Sequence, residues 1–132
     1  MSKEMFWLVL TVAMTGLIWV PYILERTAVR GLMGAMANPS PSDKPQSAWA
    51  QRMMAAHSNA VENLVIFAPL VLAAQALSIA TSATAFACAL YFWSRLVHVI
   101  VYTLGIPGLR TLAFVGGFIA QAILVLAIFK LI

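Results

Sequence analysis

Apolar residues fill four long runs of the chain, and polar residues collect in the short gaps between them. The first run, MFWLVLTVAMTGLIWVPYIL, starts at Met5, and its helical pattern carries on through Arg30, because breakers cluster only at NPSPSDKP, Asn38 to Pro45. The pattern predicts helical spans at about 5–30, 48–77, 84–104 and 109–131, a loop at about 31–47, and tight turns at SIATSAT and GIPG. Each run is long enough to cross a bilayer core, which takes about 20 apolar residues. Hydrocarbon offers no partner to an open strand edge, so helices are expected rather than strands. The expectation is an all-α integral membrane protein: one four-helix transmembrane bundle over residues 1–132 with no separate soluble domain.

Composition agrees with the pattern. Of 132 residues, 63% are hydrophobic and 9% are charged, against roughly 25% charged in soluble domains; the mean hydropathy is +0.94. The first run has no small-residue cleavage site, so it is read as a span that is kept and not as a removable signal. Cys88, the single cysteine, has no partner for an intrachain disulfide and falls in an apolar run, where it reads as a small packing residue.

The net charge is +4, but the basic residues sit at helix ends without interleaved aromatics, so no nucleic-acid partner is expected. Arg26, Arg30, Lys44, Arg52 and Arg110 fall on the side of the first and third loops, while Lys3 and Lys130 fall on the other. The positive-inside rule then puts the proline-rich loop in the cytoplasm and both termini on the non-cytoplasmic side of a multi-pass membrane protein, in the inner membrane if the cell is bacterial.

Two groups of polar residues interrupt the apolar pattern. At 100° per residue, Arg52, Asn59, Glu62 and Asn63 fall within an arc of about 100° on the second span, on the same stripe as Ala55 and Ile66. On the third span Tyr91, Arg95, His98 and Tyr102 recur every three or four residues. Ionisable groups inside a membrane cost a few kcal/mol each and face one another or a watery cavity. Glu62 and Arg95 are the expected pair. One reading is a buried network that fixes helix register; the other is a polar pocket, richer in arginine than in carboxylate and suited to an anionic ligand. His57 and His98 lie on different helices without further ligands at metal spacing, so no metal is expected. Phosphate-loop and nucleophile-elbow motifs are also missing from the sequence.

AAHSNAVEN, from Ala55 to Asn63, resembles the second-helix signature A-H-x-N-x-x-E-N of the microsomal glutathione transferase branch of the MAPEG family, the membrane-associated proteins of eicosanoid and glutathione metabolism. Three further stretches follow in collinear order. VRGLMGAMANP resembles the end of the first helix and the loop in the family's prostaglandin E synthase branch, RLVHVIVY resembles its R-x-x-H-x-x-x-Y third helix, and GIPGLR resembles the turn to the arginine that starts its fourth. The resemblance implies a homotrimer of four-helix protomers that binds glutathione as cosubstrate between neighbours near the cytoplasmic face. On that likeness Arg30 and His57 reach a neighbour's ligand, and Asn59 and Glu62 hold the polar backbone of glutathione. Tyr102 binds it with Arg52, Arg95 and His98 around the pocket, and Arg110 is the catalytic residue that stabilises the thiolate.

The chemistry is consistent with those roles. A thiol of pKa about 8.5 needs a nearby cation to become a nucleophile at neutral pH, and a tripeptide's carboxylates and ammonium need arginines and a carboxylate in turn. Glu62, as the one carboxylate inside the apolar part of a predicted span, is the expected ammonium partner. The sequence departs from the glutathione-using members at Ala55, where they carry arginine, at Ser58, where a basic residue can occur, and at Pro69, three residues later than usual; in this it resembles a bacterial-type branch of the family. The expected function is therefore a glutathione-dependent transferase or peroxidase acting on lipophilic electrophiles dissolved in the membrane lipid. The alternatives are a non-catalytic protein of the same fold that binds a lipid or other anion, and a small multidrug-type transporter. The last is disfavoured because such proteins carry their glutamate in the first span and the arginine surplus repels cationic drugs.

Overall fold

The computed structural model describes residues 1–132 and contains five helices: α1 (Lys3–Leu17), α2 (Trp19–Met36), α3 (Ala48–Ala76), α4 (Ser82–Leu104) and α5 (Pro107–Ile128). Ile18, between α1 and α2, keeps right-handed helical dihedrals. The two therefore form one rod, Lys3–Met36, and this rod with α3, α4 and α5 makes four helices long and apolar enough to cross a membrane. Thr11 and Thr15 sit inside that rod at no polar cost, because their hydroxyls donate back to Trp7 O and Thr11 O at 2.7 and 2.8 Å.

The first helix runs beyond Arg30, where the pattern of residues places its end. Gly31 takes φ 73° and ψ 167°, which breaks the helical path, and the chain resumes a last helical turn to Met36. A left-handed φ of this kind suits a residue without a Cβ. Beyond it, Glu25 fastens the returning chain by accepting hydrogen bonds from Ser47 N and Gln46 Nε2 at 2.8 Å each and from the Ser47 hydroxyl.

Helix α4 is the centre of the bundle, packing on α1, α3 and α5, while α2 lies on α3. Its start is set by a capping box between Thr81 and Thr84, and its end by Gly105 in the left-handed region at φ 78°. The core has two parts. The larger joins Leu8, Phe67, Val71, Ala87, Cys88, Tyr91, Ala120 and Leu124, with the Phe67 and Tyr91 rings stacked 3.7 Å apart; the smaller joins Ile18, Ala56, Ala60 and Val99. Alanines and glycines let the helices approach closely, as expected where lipid supplies little hydrophobic drive between them. At Gly116 an added Cβ would lie 2.5 Å from Ser94 Oγ and 3.3 Å from Ser94 Cβ, so α4 and α5 meet closely there and an alanine would require the Ser94 hydroxyl to turn aside.

At the end of the bundle away from the Ala37–Ser47 loop, the buried Glu4 carboxylate accepts a hydrogen bond from Thr84 Oγ1 at 2.6 Å. Glu4 lies in the first turn of α1 and Thr84 in the first turn of α4. Both helix N-termini thus present their positive dipole ends near one carboxylate, which offsets its burial.

Candidate functional site

The α4–α5 turn and the first half of α3 lie at the loop end of the bundle, and there the antiparallel helices bring distant residues together. Asn59 from α3, His98 and Tyr102 from α4, and Arg110, Thr111 and Phe114 from α5 line a cavity of about 220 Å³. Pro107 begins α5 and Gly105 ends α4, so only a tight turn separates the two helices, and Arg110 is carried back over the last turn of α4. Its guanidinium carbon sits 4.5 Å from the centre of the Tyr102 ring. A cation on a ring face is held by the ring quadrupole, which leaves the guanidinium N–H groups free for an anion. The His98 ring packs edge-on against Tyr102, with centroids 5.6 Å apart, and His98 is itself buried.

Arg95 lies beneath this cavity and is not one of its lining residues. The side chain is 1% exposed. Its Nη2 donates to Asn59 Oδ1 at 2.6 Å and lies 3.4 Å from His98 Nδ1, while Nε and Nη1 have no partner. The expected Glu62–Arg95 pair does not form: the one ion pair in the structure joins Arg30 to Asp43, at 3.3 Å. The rotation of α3 against α4 explains the correction, because it turns Asn59 toward Arg95 and leaves Glu62 on the exposed face of α3. Glu62 is also not the only carboxylate within a spanning helix, since Glu4 and Glu25 both lie in the first rod.

The remaining candidates are engaged elsewhere in the protomer. Arg30 donates from Nε to Lys44 O at 2.8 Å and pairs with Asp43, so it holds the loop. Arg52 donates from Nε to Thr103 O at 2.9 Å and covers Gly105, where an added Cβ would lie 3.3 Å from its guanidinium. His57 Nδ1 lies 2.7 Å from the Tyr22 hydroxyl, across the α2–α3 contact and outside the cavity. Thus Asn59, His98, Tyr102 and Arg110 come together within one chain, whereas Arg30, Arg52, His57 and Glu62 do not join them.

Sequence reasoning overlooked Thr111 and Phe114 in the cavity wall and Tyr22 beside His57. Helical spacing held the signal for two of these: Thr111 adjoins Arg110, and Phe114 falls one turn after it on the same face of α5. Nothing local to Tyr22 marks it, because its partner is 35 residues away.

Among comparisons with known proteins, the model of the MAPEG family matches residues 5–130, nearly the whole chain. No curated protein matches. No solved structure matches either.

Proposed function

The chain belongs to the MAPEG family, and from that premise we propose that it is a glutathione-dependent transferase or peroxidase acting on lipophilic electrophiles. The observation that carries the reading is the placement of Arg110 on the Tyr102 ring at the mouth of a polar cavity with Asn59 and His98. A fixed guanidinium there favours the deprotonated form of a thiol brought beside it, and a thiolate is the reactive nucleophile. In transfer, the sulfur of glutathione bonds to the electrophilic carbon, the leaving group departs with its electron pair, and the thiol proton goes to solvent. In peroxide reduction, two glutathiones become a disulfide as ROOH becomes ROH and water.

The residues present fit such an anionic tripeptide, though not within one protomer. A cavity of about 220 Å³ is smaller than the roughly 300–1,000 Å³ usual for small-molecule sites, which supports a reading in which a neighbouring copy supplies the rest. We place Glu62, on the exposed face of α3, at that junction as the partner of the ligand's ammonium, and Arg30, Arg52 and His57 near the neighbour's share of the site. The protein is accordingly proposed as a homotrimer, with the cavity on the cytoplasmic side and both termini opposite. Arg95 acts from below by holding Asn59 and His98.

Titration of the purified protein in detergent with glutathione tests this, reading thiolate absorbance in the ultraviolet and heat of binding together. Both signals are expected, and Arg110→Ala should remove the absorbance while weakening binding less. Absence of both signals from the unaltered protein would overturn the proposal. A second reading, a non-catalytic binder of a lipid or other anion, draws on Ala55, which presents no charge one turn before Asn59; robust thiol conjugation would eliminate it.

A further inference from the structure

The turn that carries Arg110 back over Tyr102 has a gap in its hydrogen bonding that the sequence itself creates. A helix continuing past Leu104 would satisfy Thr103 O with the N–H four residues on, but that residue is Pro107, which has none. The chain turns instead: Gly105 takes φ 78°, Gly105 N donates to Tyr102 O at 3.0 Å, and Ile106 N donates to Val101 O at 2.9 Å. These bonds serve the two carbonyls before Thr103 and leave Thr103 O to a side chain.

Arg52 supplies the donor from another helix. Its Nε reaches Thr103 O at 2.9 Å, from 51 residues away in sequence. The guanidinium lies so close to Gly105 that an added Cβ would sit 3.3 Å from both Nε and Cζ. A cation in this place also faces the negative end of the α4 dipole. One side chain of α3 thus holds the last turn of α4 and covers the residue at which the chain changes direction.

From Gly105 the path to Arg110 is short. Ile106 O accepts from Arg110 N and Pro107 O from the Thr111 hydroxyl, at 3.2 Å each, so the first turn of α5 is fastened to the same turn. Arg110 lies five residues beyond Gly105, a lever of roughly 8 Å at 1.5 Å per residue. Its guanidinium rests on the Tyr102 ring across that turn, and Asn59, two helical turns along α3 from Arg52, lines the same cavity. Misplacing a reacting group by about 1 Å can cost about a hundredfold in rate, so what fixes the turn bears on the chemistry.

We propose that Arg52 is a positioning residue: through Thr103 O and Gly105 it fixes the α4–α5 turn, and thereby sets Arg110 against Tyr102 at the mouth of the cavity. For its catalytic consequence the inference rests on the function proposed above; for the positioning it rests on geometry alone. The Nε edge of Arg52 has a task inside its own protomer, separate from any contact its Nη groups make with a neighbour's ligand.

Arginine-specific NMR of the full-length, ligand-free protein in detergent tests this, reading the upfield ring-current shift that Tyr102 imposes on the Arg110 side chain, assigned by its loss in Tyr102→Leu. Arg52→Met, which keeps an apolar stem and removes both charge and donor, should move that shift most of the way to the Tyr102→Leu value. Arg52→Lys, which keeps the charge without the Nε–H, should lose less of it. With glutathione added, the thiolate absorbance of Arg52→Met should titrate about one pH unit higher than in the unaltered protein, an about tenfold smaller thiolate fraction at a given pH below it. Its kcat should fall by about tenfold or more with KM changed less, and Arg52→Lys should recover part of both. An unchanged ring shift in Arg52→Met overturns the inference, also where glutathione binding weakens, since Arg52 would then be a ligand contact only. Should Arg52→Met not fold, Arg52→Lys decides by the same measurement: an unchanged shift overturns the inference and a reduced one supports it. Absence of thiolate in the unaltered protein defeats the glutathione reading alone, and the ligand-free shift still decides the positioning.

Discussion

Asn59 stands between a buried cation and the cavity, accepting the short hydrogen bond from Arg95 Nη2 at 2.6 Å while lining the space above it. Two guanidinium nitrogens of Arg95 already lack partners, so removal of the Asn59 oxygen leaves a nearly naked charge in a low-dielectric interior. Hydrogen bonds to charged groups contribute about 1.5–3 kcal/mol; Asn59→Ala is therefore expected to lower Tm in detergent by several degrees. Glu62→Gln, on the exposed face of α3, should leave Tm unchanged and weaken glutathione binding at least tenfold, as read by calorimetry. The opposite ranking, with Glu62→Gln the more destabilising, would restore a structural partner for Glu62. Residue spacing alone revealed the α4 stripe of Arg95, His98 and Tyr102, because one helix fixes its own geometry. It could not choose between Asn59 and Glu62 as the partner of Arg95, since that depends on how α3 is rotated against α4, a property of two helices.

At the scale of elements, hydropathy made the four membrane-crossing helices legible, because each is a continuous apolar run between breakers. Their internal breaks were less visible. Gly31 sits among residues that suit a helix on both sides, and only its φ of 73° reveals the change of direction. The seam between α4 and α5 was likewise hidden, since Gly116 signals close approach only once Ser94 is known to face it. Gly116→Ala should turn the Ser94 hydroxyl aside and press on its Cβ, with overpacking costing up to about 1–3 kcal/mol and a matching fall in Tm. Ser94→Gly in the same chain should recover most of that loss, because it removes both atoms the new Cβ would strike. An additive double mutant would show that the two positions do not touch.

The whole molecule is thin: 28 of 132 residues are buried, and a carboxylate lies on the outer face of a membrane-crossing helix beside exposed Val61, Val65 and Ile66. Facing lipid, such a charge costs about 2.5–3.5 kcal/mol by insertion scales, which association of α3 with other copies would relieve. Native mass spectrometry is expected to find three copies, and Val65→Arg, on the same exposed face, to shift the population toward single chains. A single-chain mass for the unaltered protein at every concentration would refute the trimer. Under the assembly proposed above the site would share this dependence, with a neighbouring copy bringing in Arg30, His57 and Glu62, which one protomer keeps outside the cavity.

The Glu4–Thr84 hydrogen bond also has a meaning in time. Its partners are 80 residues apart, so at a synthesis rate of about 5–20 residues per second the first rod waits some 4–16 s for its fastening to be made. During that interval Glu4 has no Thr84 hydroxyl to receive, and the start of the rod is tied to the end of α3 by the Ser2 hydroxyl, which donates to Gln75 Oε1 at 2.9 Å. The third membrane crossing thus supplies the hydroxyl that satisfies the buried Glu4 carboxylate, and a chain stalled before it is expected to be cut by protease faster than the finished bundle.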